Sequence, residues 1–175
     1  MTGFRLDKGG LIDRRRKIKF RYNGQQITGF KGDTIASALM ASGHMLVGRS
    51  FKYHRPRGIM SAGVEEGGAL FNTGDGAARI PNVKGTVTEI SEGLRVYSQN
   101  VFPSPEFDLG AVNGLIAPFI TAGFYYKTFM GPFANTKFWM VCERFIRRAA
   151  GLGRASREAD PSTYDIANGF CDALV

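Results

Sequence analysis

The sequence predicts an α+β domain in which one helix crosses a small mixed sheet, and three stretches of residues carry the prediction. Ile18, Phe20 and Tyr22 alternate with Lys19 and Arg21, and after Asn23-Gly24 a second short run extends over residues 25–30. Alternation sends successive side chains to opposite faces of a strand, and Asn and Gly accept the positive φ of a two-residue turn. The two runs therefore read as a β-hairpin. Lys31-Gly32-Asp33-Thr34 then precedes Ile35, Ala36, Leu39 and Met40, with Gly43 beyond them. Those apolar residues recur at helical spacing, Asp33 or Thr34 is placed to cap the first turn, and Gly43 suits the left-handed residue that closes the last. Short apolar runs over residues 69–72, 83–90 and 94–98 complete the sheet as three further strands, the last two joined across Glu92-Gly93 like a second hairpin.

The flanks have a different character. Residues 1–17 are polar and basic, contain Gly9-Gly10 and show no sustained period, so they read as an arm that gains order only by packing. The domain proper is expected over residues 18–100, interrupted at 48–68 by a stretch rich in Gly, Pro and Arg that reads as a long ordered loop. Beyond Asn100 the chain is broken by Pro103, Pro105 and Pro118 and crowded with Phe119, Phe124, Tyr125, Tyr126, Phe129, Phe133, Phe138 and Trp139. Helical spacing returns only over residues 137–150. Residues 101–175 are accordingly expected to form an aromatic-rich, irregular and helical linker that packs against a partner. A turn is expected at Asp160-Pro161, and the beginning of a strand at residues 171–175.

Composition narrows the function classes. With 43% hydrophobic and 22% charged residues among 175, the chain has the makings of a core and lies far from the disordered class. A net charge of +8 and a pI near 9.8 admit nucleic acid, an anionic membrane surface, or a phosphate-bearing cofactor or acidic partner subunit. Two cysteines, Cys142 and Cys171, stand too far apart for a zinc spacing and predict neither a disulfide framework nor a metal site, which fits a reducing, cytoplasmic setting. The opening residues lack the apolar stretch of a signal peptide. The richest apolar run, about 12 residues from 115 to 126, carries Pro118 and Gly123 and is too short to cross a bilayer.

Catalytic pairings are scarce, because His44 and His54 are the only histidines and neither G-x-S-x-G nor H-E-x-x-H occurs. His44, just past a helix end, suits a role at the terminal carbonyls. Glu65 and Glu66 are adjacent and point apart on an extended chain, which favours solvated or Arg-paired roles over acid–base work. The aromatic stretch over residues 124–138 suits an interface or core better than a flavin site, since Phe offers nothing polar to orient a cofactor. No catalytic or metal-ligating residue is expected. The sharpest candidate site is the loop carrying Arg49, Lys52, Tyr53, His54, Arg55 and Arg57, as a cofactor-binding or partner-contact surface. Guanidinium forks take carboxylate or phosphate, and the aromatic residues can stack a flat ring. An acidic partner subunit, a cofactor phosphate and nucleic acid all remain open occupants.

The order of hairpin, Gly-Asp-Thr helix start and loop resembles the 2Fe-2S ferredoxin-like β-grasp domain, whose cluster loop carries cysteine thiolates. Here that stretch reads Pro56-Arg57-Gly58-Ile59-Met60-Ser61-Ala62-Gly63-Val64-Glu65-Glu66, with no cysteine. Ser61, Glu65 and Glu66 do not replace four thiolates, so a β-grasp domain without a cluster is expected. The chain further resembles the N-terminal region of the alpha subunit of heterotetrameric sarcosine oxidase. The resemblance is carried by Gly32-Asp33-Thr34-Ile35-Ala36-Ser37-Ala38-Leu39, by Val47-Gly48-Arg49-Ser50-Phe51-Lys52-Tyr53-His54-Arg55-Pro56-Arg57-Gly58, by Ala122-Gly123-Phe124-Tyr125-Tyr126-Lys127-Thr128-Phe129-Met130, and by Ile146-Arg147-Arg148-Ala149-Ala150-Gly151-Leu152-Gly153. That resemblance implies a complex that oxidatively demethylates sarcosine to glycine, with FAD, FMN, NAD and tetrahydrofolate among its cofactors and beta, gamma and delta subunits as partners. It implies amine oxidation on the beta subunit and a Gly-rich dinucleotide turn in the family just beyond the position of Val175. The chain by itself is then expected to bind none of these cofactors and to be inactive, with neither nucleic acid nor membrane as a partner. The alternative expectation is a stand-alone basic module that grips nucleic acid or another anionic partner through the loop at residues 49–57.

Overall fold

The computed structural model describes residues 3–115, 117–118, 140–144, 151 and 153–172. Strand β1 (Asp13–Tyr22) and strand β2 (Gln25–Lys31) form the expected hairpin. Tyr22 pairs with Gln25, which leaves Asn23 and Gly24 as the two turn residues at φ 47° and 85°. Only residues tolerant of the left-handed region fit a turn this tight. Helix α1 (Ile35–Ala41) follows at once and buries Ile35, Ala36, Ala38 and Leu39. Of the two capping candidates Thr34 is the cap: its hydroxyl accepts from the Ser37 N–H, and the Ser37 side chain answers the Thr34 N–H in a reciprocal capping box.

A two-residue pair, β3 (Gly48–Arg49) with β4 (Pro56–Arg57), closes the base of the basic loop. Strands β5 (Leu70–Thr73), β6 (Ile80–Lys84) and β7 (Arg95–Ser98) then complete a five-stranded sheet in the order β2-β1-β7-β5-β6. The architecture is an α+β, β-grasp-like fold, as the sequence predicts. The helix packs across one face and gathers a core of Phe20, Tyr22, Ile27, Ile35, Leu39, Val47, Phe71 and Val96. Phe20 and Ile27 sit opposite each other in the hairpin register, so the alternation of both strands delivers its apolar face to the same side.

Three local expectations are corrected. Strand β1 starts at Asp13, inside the supposed arm; Arg14, Arg15 and Arg16 carry no apolar alternation, and the register slips between Asp13 and Lys17. The arm itself is stapled down, because Arg5 forks onto the buried carboxylate of Asp33 at 3.1 and 2.7 Å. Residues 83–90 are not one strand: β6 ends at Lys84, and the chain turns so that the carbonyls of Gly85 and Thr88 accept from Ala36 and Ile35. The turn satisfies the helix's otherwise unpaired first N–H groups, a demand invisible in a strand pattern. Glu92-Gly93 closes no hairpin either, since β7 lies between β1, with which it runs parallel, and β5, with which it runs antiparallel. The expected helix over 137–150 is described only at residues 140–144, which are helical. The aromatic run over 119–139 lies outside the described residues. Among the described residues no helix is long and apolar enough to cross a membrane.

Candidate functional site

The six candidate side chains share a loop but do not converge on one point. Its base is the β3/β4 pair, and its tip is folded by Ser50, whose N–H donates to the Arg55 carbonyl at 2.9 Å while its hydroxyl accepts from the Arg55 N–H at 2.9 Å. Arg49 turns inward, donating to the carbonyls of Pro105, His54 and Glu106 at 2.8, 3.1 and 3.3 Å. His54, at φ 50°, sets Nδ1 2.6 Å from Oδ2 of Asp108. A carboxylate only accepts, so Nδ1 carries the proton of this contact. Lys52 and Arg55 both lie over the Tyr53 ring, their cationic groups 4.9 and 5.0 Å from its centroid. Arg55 and Arg57 are exposed. Arg49 and His54 therefore fasten the loop to residues 102–110, and the exposed cations of the loop are Arg55 and Arg57.

Asp108 was not signalled by any motif. Its buried carboxylate accepts from Phe102 N at 2.9 Å, from Gly110 N at 3.2 Å and from His54, so it holds a turn and the loop together. Asp108→Ala leaves those donors unpaired and is expected to cost about 2–3 kcal/mol in urea unfolding, with loss of the Nδ1–H tautomer in the imidazole nitrogen spectrum of His54. An unchanged tautomer in a stable variant would contradict this role.

Two recesses flank the loop. One, of about 620 Å³, is lined among others by Arg49, Phe51, Arg57, Ser61, Glu66 and Asn100. The other, of about 640 Å³, brings His54 together with Arg79, Phe102, Asp108 and Arg154. Arg154 belongs to a C-terminal cluster of basic residues visible in the sequence, whereas Arg79 had no signal beyond its charge. Gly151 and Gly153 bring that C-terminal segment in: the Gly151 carbonyl accepts from Gln99 at 3.0 Å, and the Gly153 N–H donates to Asn82 at 2.9 Å.

His44 and the acidic pair resolve differently. The His44 ring packs edge-on against Tyr22 at 5.3 Å between centroids, while the His44 backbone N–H, not its side chain, meets the helix-end carbonyl of Leu39. Glu65 is exposed and Glu66 is buried, so the pair diverges as expected. Glu66, however, is neither solvated nor Arg-paired: its partners are backbone N–H groups of Met60, Ser61 and Gly68. Burial works against its charge, but the three N–H donors outweigh burial and hold its carboxyl below the usual carboxylate range.

With this geometry in hand, the relatives can be placed on it. The family of 2Fe-2S iron-sulfur cluster binding domains matches residues 15–101. The chain is 53% identical over 176 residues to sarcosine oxidase subunit alpha of Rhizobium meliloti strain 1021, a match that takes in 100% of this chain and 18% of that protein. It is 47% identical over 66 residues to sarcosine oxidase subunit alpha of Corynebacterium sp. strain U-96, covering 38% of this chain and 7% of the relative. The crystal structure of L-proline dehydrogenase from P. horikoshii overlaps 49% of this chain and 16% of its own at 15% identity and a TM-score of 0.38, too slight a likeness to bear on the fold. The chain thus spans less than a fifth of the length of the curated relatives it matches.

A 2Fe-2S cluster does not fit the residues present. Such clusters are held by four thiolates, or by thiolates and histidines, and the loop over residues 56–68 has neither cysteine nor histidine. Cys142 and Cys171 are the chain's only thiols. Among the described residues no three His, Cys, Asp or Glu side chains are placed to share a metal ion.

Proposed function

We propose, from a chain whose residues 15–101 match the 2Fe-2S iron-sulfur cluster binding domain family and whose whole length matches 18% of a sarcosine oxidase subunit alpha, that it is the N-terminal part of such an alpha subunit and a non-catalytic structural module of a flavin-dependent complex. The complex demethylates sarcosine oxidatively to glycine. FAD, FMN, NAD and tetrahydrofolate belong to the other parts of the assembly, whose partners for this module are the rest of the alpha subunit and the beta, gamma and delta subunits. The reading is carried by the 53% identity along the entire chain. Its support in the geometry is the loop itself: two of its strongest hydrogen-bonding groups, on Arg49 and His54, are consumed in bracing, which leaves Arg55 and Arg57 as an exposed cationic face for an acidic subunit surface.

Co-expression of the chain with the remaining subunits tests this. Co-purification is expected, and sarcosine-dependent oxidase activity should reside in the assembly and not in the isolated chain. Arg55→Glu with Arg57→Glu is expected to weaken that association about 10-fold or more by placing like charges across the contact. Turnover by the chain alone, or tight salt-sensitive binding to nucleic acid with no association to flavoprotein subunits, would overturn the proposal.

A further inference from the structure

Residues 58–68 lie within the stretch that matches the 2Fe-2S cluster binding family, in a chain whose loop has no thiolate ligands for a cluster, so something other than a cluster holds the loop in shape. Met60 and Ser61 point their N–H groups at Oε2 of Glu66 from 2.6 and 2.7 Å, and the Ser61 hydroxyl reaches the same oxygen at 3.3 Å. Gly68 donates to Oε1 at 2.6 Å. Backbone N–H groups that converge on one point make a concave anion site, and an anion there needs no cationic side chain. Glu66, whose carboxylate sits at its centre, is 5% exposed. Close approach is built in: a Cβ at Gly68 would stand 3.0 Å from Oε1 of Glu66 and 3.0 Å from the Gly58 carbonyl. The outer half of the loop is tied separately to the end of β6 and the turn after it, through Lys84 to the Val64 carbonyl at 2.5 Å and Thr86 to the Gly63 carbonyl at 2.8 Å.

In an iron–sulfur protein the negative cluster and its thiolates are the acceptors for N–H groups of the surrounding loop. Those acceptors are missing from this sequence, and buried N–H groups left unpaired would each carry the full cost of desolvation. We propose that the loop is an anion-binding nest occupied by the protein's own Glu66 carboxylate, which replaces the charge of a cluster and closes the loop to metal. The nest recognises a monocarboxylate, so emptying it by truncation of Glu66 creates a site for a free carboxylate the size of formate. The inference is independent of the assembly reading, because it concerns only how the loop is held.

The test uses the full chain with Glu66→Ala and formate as the probe. Amide hydrogen exchange at Met60, Ser61 and Gly68 should accelerate about 10-fold or more in the variant, as expected when charge-assisted hydrogen bonds are lost. Formate should slow it again and raise the unfolding midpoint of the variant but not of the parent, while chloride at the same ionic strength does neither. Equal effects of formate on both proteins, or exchange at these three amides unchanged by the substitution, would overturn the nest. Should Glu66→Ala fail to fold, Glu66→Gln keeps the shape but turns an amide NH₂ toward one set of donors, and faster exchange at Met60 and Ser61 or at Gly68 is then required. Anaerobic treatment of the parent chain with iron and sulfide should leave it without the visible absorbance of a cluster; stoichiometric uptake with such absorbance would overturn the claim that the loop is closed to metal.

Discussion

Phe71→Ala should lower the unfolding free energy by about 3–5 kcal/mol, the range for emptying a fully buried aromatic site. Phe71 is 0% exposed on β5, the strand between β6 and β7. Its ring meets Tyr22 of the hairpin edge-on at 6.1 Å, so one side chain ties the second half of the sheet to the first. It also packs against the turn that serves the helix, where a Cβ at Gly85 would stand 2.3 Å from its ring. That contact keeps residue 85 a glycine and prevents the surroundings from collapsing easily into the vacated space. A domain of this size holds about 5–15 kcal/mol in all, so the variant should be close to unfolding at ambient temperature. Urea denaturation followed by circular dichroism measures the loss. A cost below about 1 kcal/mol would mean that the two halves of the sheet are stabilised separately and the single-core account is wrong.

The elements built on local patterns were legible in the sequence. Asn23-Gly24 specifies its turn through backbone φ alone, and Thr34 with Ser37 specifies the helix start through a three-residue spacing. What the pattern missed lies in pairings distant along the chain. An alternating run over 83–90 is a sound strand signal, and it fails because Gly85 and Thr88 are needed by the N–H groups of α1, some fifty residues earlier. Glu92-Gly93 has hairpin chemistry, yet it leads into a central strand whose partners are β1 and β5, a matter of topology on which turn residues are silent.

The candidate site divides in the same way. Its basic and aromatic composition was plain, but which cations are free was not, because the acceptors that consume Arg49 are backbone carbonyls of residues 54, 105 and 106 and carry no sequence signature. Asp108 is a lone acidic residue in a Pro-rich stretch, and only the fold shows that it meets His54. Glu66 was noticed for the wrong partner. Its neighbour Glu65 suggested a carboxylate pair, whereas its function is set by N–H groups two to six residues away.

Asp33→Ala is expected to cost about 2–4 kcal/mol, because it removes a buried carboxylate that accepts four hydrogen bonds. Asp33 is 1% exposed, and each of its oxygens serves two donors: Oδ1 accepts from Arg5 and from the Ser37 hydroxyl, Oδ2 from Arg5 and from the Phe30 N–H. The carboxylate therefore joins the arm, the end of β2 and the first turn of α1. Removing it leaves the half-buried Phe30 N–H without its acceptor, while the exposed Ser37 hydroxyl keeps the Thr34 carbonyl and the Arg5 side chain, 22% exposed, can swing to water. Arg5→Ala removes the opposite member and leaves the carboxylate with its two neutral donors, so it should cost less, about 1–3 kcal/mol. Because both substitutions remove the same pair, their effects should fall short of additivity by about 1–2 kcal/mol in a double-mutant cycle. The arm supplies a second readout: with Arg5 detached from Asp33, trypsin should cut at Lys8, N-terminal to β1, well before the domain unfolds, and the cut rate should rise in either single variant. Strict additivity, or an arm no more sensitive than in the parent, would show that residues 3–11 are held by something other than this pair and that Asp33 serves the helix start alone.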